Sequence, residues 1–200
     1  FNTIGGTKQV MTVTIATPSE AAGTVVFTVT AADMDNSPKA VDVVVANGDT
    51  VEDVAALVAA AFAEDDDVGG FFDITVAGAV VTMTCKTHAA NDDTMAVAVT
   101  ADTSSTKVTL ADAITVQGAL ATSCTITVTP EVEYAAIPAL IGAPQHVKSD
   151  GSAATKIDSW AITTQATTGV TITVTLDAAP GAGITDTIVF NGGLIGIPAR

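Results

Sequence analysis

The sequence predicts a mainly β protein with one amphipathic helix, an α+β fold made of an antiparallel β-sandwich-like domain and a further β-rich part. Three observations predict it. Threonine alternates with apolar side chains over residues 8–15 and 24–31, the period-two pattern of a half-buried strand. One segment, residues 49–64, instead repeats its apolar positions at helical spacing. Hydrophobic residues make up 48% of the chain and aromatics only 4%, so the interior is built from small and branched side chains that suit thin β layers.

Between the first two strands, Thr17-Pro18-Ser19-Glu20 with Gly23 is turn chemistry. Ala31 to Pro38 reads as a connecting loop with Asp33, Asp35 and Asn36 facing solvent. The segment Ala40 to Ala46 is apolar at nearly every position apart from Asp42, which predicts a central strand. Asn47-Gly48 then turns the chain into the helix.

Asp49 is placed to cap that helix, with Glu52 three positions later completing a capping box. Val51, Val54, Ala55, Val58, Ala61 and Phe62 form the face that packs on a sheet. Four carboxylates, Glu64, Asp65, Asp66 and Asp67, fall at the negative end of the helix dipole, and Gly69-Gly70 is expected to break the helix. Strands are predicted over residues 71–76, 79–87, 94–101, 107–110, 113–117, 123–129, 158–164, 169–176 and 185–190. Pro130, Pro138 and Pro144 mark a less regular crossing. The polar stretch Asp102-Thr103-Ser104-Ser105 divides a first domain, residues 1–102, from a second β-rich region, residues 103–200, which either folds alone or shares the first core.

Charge limits the function. With 22 Asp and Glu against seven Lys and Arg, the net charge is -15, and a basic face that could neutralise phosphates cannot be assembled. Specific nucleic-acid binding is therefore not expected. No apolar run approaches the roughly 18 residues that a membrane-spanning helix needs. The first residues show no charged stretch followed by an apolar one.

Candidate chemistry is sparse. His88 and His146 both sit in polar surroundings, away from any nucleophile motif, and are read as surface histidines. Cys85 and His88 form one Cys-x-x-His pair with no second pair to complete a zinc site. Cys85 and Cys124 lie in strands of different sheets or domains, so buried free thiols are expected rather than a disulfide. Asp33-Met34-Asp35-Asn36 and Asn91-Asp92-Asp93 offer hard oxygens to calcium, although the first lacks the glycine and final acid of an EF-hand loop. No catalytic, cofactor or metal residues are assigned. The candidate surface is acidic: Glu64, Asp65, Asp66, Asp67, Asp92 and Asp93.

The strand end Val45-Ala46-Asn47-Gly48-Asp49-Thr50, the helix from Val54-Ala55 to Ala59-Ala60-Ala61-Phe62, and Gly78 to Thr87 followed by Asn91-Asp92 carry a resemblance. Residues 23–100 resemble a small strand-helix-strand module of tailed-bacteriophage tail proteins, especially contractile-tail sheath proteins. The chain is much shorter than a full sheath protein. The resemblance implies a virion structural protein that assembles with copies of itself and with other virion proteins. A tail tube subunit, stacked in hexameric rings around an acidic, DNA-repelling lumen, fits that size and charge. A capsid decoration or head-fibre protein is the alternative. Outside viruses, a calcium-dependent surface adhesin or surface-layer domain competes.

Overall fold

The computed structural model of the chain describes residues 2–103, 105–130, 133–137, 139–147, 157–179 and 186–195. The fold is mainly β, with several antiparallel sheets. In chain order the strands β1 (Asn2–Ile4), β2 (Gly6–Thr7), β3 (Val10–Ile15), β4 (Gly23–Thr30) and β5 (Lys39–Val45) precede the helices α1 (Val51–Glu64) and α2 (Asp66–Phe71). Then come β6 (Phe72–Ala77), β7 (Val80–Cys85), β8 (Ala96–Asp102) and β9 (Leu110–Val116). The rest is β10 (Ala119–Leu120), β11 (Ser123–Val128), β12 (Ala139–Val147), β13 (Ile157–Ala166), β14 (Gly169–Leu176) and β15 (Asp186–Ile195).

Residues 7–119 form one compact unit; residues 1–6 and 120–200 form the other. The division expected after residue 102 thus lies after residue 119. The reason is a long-range pairing, since β9 adds to β3 from Val10↔Val116 to Ile15↔Leu110 and so belongs with the first sheet.

The helix-bearing unit holds a four-stranded sheet, β6-β7-β3-β9, and a three-stranded sheet, β5-β4-β8. Alternation decides what each strand buries. Met11, Val13 and Ile15 of β3 point into the core, as do Val25, Phe27 and Val29 of β4 and Val81 and Met83 of β7. Threonines at the intervening positions stand outside it, where the Thr28 and Thr100 hydroxyls meet at 2.8 Å. Both sheets and α1 contribute to one core, with Val54, Ala55, Val58, Ala59 and Phe62 as the buried face of the helix.

Three expectations change here. Thr50, not Asp49, is the N-cap: its hydroxyl accepts from the Asp53 N–H at 3.2 Å, while the Asp53 carboxylate accepts from the Thr50 N–H at 3.0 Å. Asp49 is already committed to the preceding turn, where its Oδ2 accepts from the Ala46 N–H at 2.7 Å around Gly48 at φ +88°. Second, a helix α2 follows α1, and Gly69-Gly70 lies inside it. Third, β5 sits at the edge of its sheet, with β4 in the centre. Its outward positions are Ala40, Asp42 and Val44, and Val44 is 71% exposed. A continuous apolar run on an edge strand mimics a central one.

The other unit holds two further antiparallel sheets among its described residues, β1-β15-β12 and β11-β14-β13. Its core is smaller, comprising Ile126, Val170, Ile172, Val174, Leu176 and Ile188, with Leu140, Phe190 and Leu194 packed against it. Pro144 lies within β12. Pro138 and Thr185 fall outside the described residues.

Candidate functional site

Two short segments place the acidic residues. At the end of α1, Asp65 is both the C-cap of that helix and the N-cap of α2, its carboxylate accepting from the N–H groups of Asp67 and Val68 at 3.0 Å. The carboxylate run therefore serves the positive end of the second helix, where Asp66 and Asp67 occupy the first turn. A new helix start thus gives Asp65, Asp66 and Asp67 a favourable dipole, while Glu64 remains at the negative end of α1.

Lys39, at the start of β5, completes the cluster. Its ammonium bridges Asp67 and Asp65, the latter at 3.3 Å, and Asn36 donates to the other Asp67 oxygen at 3.0 Å. Lys39 and then Asn36 hold the Asp67 carboxyl below its ordinary range, and Asp67 in turn raises the Lys39 ammonium. Lys39 does not figure among the residues singled out from the sequence, and Asn36 figures there only as a solvent-facing loop residue and a calcium candidate. The available signal was scarcity, because each of seven basic residues in so acidic a chain is a candidate partner for a carboxylate.

Asp92 is built in still more firmly. Its carboxylate accepts from the Ala32 N–H at 2.7 Å, the Thr94 N–H at 2.8 Å and the Thr94 hydroxyl at 2.6 Å. The buried Gln9 clasps its backbone, donating to the Asp92 carbonyl and accepting from the Asp92 N–H, both at 2.8 Å. Burial pushes the Asp92 carboxyl upward, but the hydrogen bonds from Thr94, Ala32 and Met95 outweigh it and its pKa lies below the ordinary 3.8. The loop 31–38 joins the two acidic segments, since Ala32 is held by Asp92 and Asn36 holds Asp67.

Six candidate carboxylates thus divide by task. Asp65, Asp67 and Asp92 hold the fold together, whereas Glu64, Asp66 and Asp93 are exposed. Asp33 and Asp35, exposed as expected, line with Asp66 and Asp67 an open cleft of about 210 Å³ beside Phe71. Among the described residues, no three His, Cys, Asp or Glu side chains stand close enough to share a metal ion.

The nucleophile candidates are chemically quiet. Burial, reinforced by the Asp92 charge, pushes the Cys85 thiol up to about 11, and burial also raises Cys124. Both are free cysteines, in β7 and β11, and at neutral pH they are thiols rather than thiolates. His88 is buried, at 7% exposure, which corrects its reading as a surface residue. His146 belongs to β12, and its side chain lies outside the described residues.

The pH dependence follows from these shifts. A carboxyl whose pKa is lower in the folded state stabilises the fold fully above its unfolded value, and loses that effect as pH falls through the folded value. Asp92→Asn should cost about 1–3 kcal/mol at neutral pH, the worth of hydrogen bonds to a charged acceptor. The deficit relative to the native chain should shrink below pH 3.8, the ordinary carboxylate value. Urea unfolding across pH 2–7 measures it, and a deficit constant with pH would contradict the assignment.

No protein-family model matches the chain, and no curated protein matches it in sequence.

Proposed function

We propose that this chain is a structural subunit of a tailed-bacteriophage virion, of the tail tube or sheath-like kind, which acts by assembling with copies of itself and with other virion proteins and performs no catalysis. The observation that carries the proposal is the state of the sheet edges. β5 ends one sheet with Val44 71% exposed, and β13 ends another with Trp160 and Ile162 exposed. Unpaired strand edges bearing apolar side chains are templates for further strands, and an isolated protein normally blunts them. In an assembly, neighbouring subunits cover them.

The acidic end supports the same reading. Glu64, Asp66 and Asp93, with Asp33 and Asp35, project carboxylates to solvent. A wall of such groups repels phosphate, which a conduit for DNA requires if the polymer is not to stick. The deployment of Asp65, Asp67 and Asp92 as caps and loop ties fits a scaffold rather than a reactive centre.

Sedimentation velocity of the purified chain over a rising concentration series, with and without calcium, tests the proposal. Metal-independent growth into large species is expected. A monomer at every concentration, with a melting temperature that climbs with calcium by mass action, would replace it with the adhesin reading.

A further inference from the structure

We infer that β13 is the site at which a second copy of this chain docks, strand against strand, in antiparallel two-fold pairing centred on Ala161. Among the described residues, β13 pairs within its sheet only with β14. Directly opposed residues of an antiparallel ladder point to the same side of the sheet, so Trp160, opposite Val174, and Ile162, opposite Ile172, stand on the core face. Val174 and Ile172 are fully buried, yet Trp160 is 41% and Ile162 43% exposed. The apolar face of this sheet runs on past its own cover.

Charge and register identify the occupant. With a net charge of -15, the chain repels its own copies over most of its surface. Along Ile157–Ala166 the sole charged residue is Asp158, at a bulge, so here copies approach without that repulsion. No lysine or proline lies in the strand, and the two register shifts that bend it fall on either side of Trp160–Ile162. Pairing the strand with itself about Ala161 sets Trp160 against the copy's Ile162, and Ile162 against the copy's Trp160. That aromatic and β-branched combination stabilises cross-strand pairs, and the two-fold axis makes it twice. Register shifts between Ile157 and Ser159, and between Ile162 and Thr164, leave Trp160–Ile162 as the segment that pairs regularly about Ala161. Asp158 lies outside the regularly paired segment, so no two carboxylates meet within it.

This pairing stands on the strand itself and not on the virion reading. A closed pair satisfies β13 alone and leaves the β5 edge available for further growth.

The test combines cross-linking with exchanged charges in the full chain, in a Cys124→Ser background. Ala161→Cys places two thiols directly across the axis and should form an intermolecular disulfide on mild oxidation. Ser159→Cys should not. Ile162→Glu should weaken association about tenfold or more, because both cross-strand pairs are lost together. Adding Trp160→Lys should restore it, because each introduced ammonium then faces an introduced carboxylate of the other copy, once on either side of the axis. Far-UV circular dichroism checks each variant, and the cross-linking comparison stands even where a charged variant unfolds. A chain monomeric throughout, equal cross-linking at 159 and 161, or no rescue by the double variant would overturn the inference. Polymers formed without the β13 pair would contradict this inference alone; the pair formed without any polymer would contradict the virion reading alone.

Discussion

Phe62→Ala is expected to lower stability by about 3–5 kcal/mol, the usual cost of deleting a fully buried ring. Phe62 has no exposed surface and meets Phe27 of β4 edge-on, with ring centroids 6.2 Å apart. It is thus one of the contacts that hold α1 on the three-stranded sheet, beside those with β5. Most of the core it belongs to is valine and alanine, whose short side chains cannot swing in to fill a cavity of that size. Leu57→Ala on the same helix is the control: Leu57 is 38% exposed, and its loss should cost well under half as much. Chemical unfolding of both variants measures the difference, and equal losses would mean that α1 does not pack as described.

Gly69→Ala should cost about 1–3 kcal/mol or more, as a forced overpacking. A Cβ at Gly69 would stand 2.4 Å from the Ala63 carbonyl oxygen and 3.2 Å from that of Phe62. Both obstacles are backbone, so neither yields cheaply. The adjacent Gly70 has nothing within 4 Å of the same added atom, and Gly70→Ala should be neutral or stabilising by up to about 1 kcal/mol, since alanine favours a helix. Opposite effects at neighbouring glycines would verify that α2 folds back tightly on the end of α1. Equal effects would refute it.

These two glycines also show where reading the sequence fell short. Gly69-Gly70 looks like a helix breaker, because local propensity carries no information about a close approach between two helices. The structure uses the first glycine for contact and keeps the helix. The cap moved by one residue for a similar reason: Asp49 and Thr50 are both good N-caps, and the choice depends on the Ala46 N–H already claiming Asp49. Strong periodicity was more informative. The alternating threonine strands, the buried face Val54, Val58 and Phe62, and the mainly β class were all legible.

The candidate site was legible as composition and not as geometry. A run of four acids reads as one charged patch, yet two of them, Asp65 and Asp67, are tied to Lys39 and to the cap of α2. Lys39 lies well upstream of both, and no pattern in the sequence pairs it with them. Likewise, Gln9 and Asp92 are 83 residues apart and meet only because the strand pairing of β3 with β7 brings their loops together. The buried position of His88 is of the same kind. It depends on tertiary packing, which a polar local sequence conceals.

Electron micrographs of the purified protein, taken over a concentration series without added metal, test the central claim of self-assembly most directly. Rings or tubes built from this chain alone are the predicted result. A field of dispersed monomers at the highest concentration would contradict it, and binding confined to capsid shells would place the chain on the head rather than the tail.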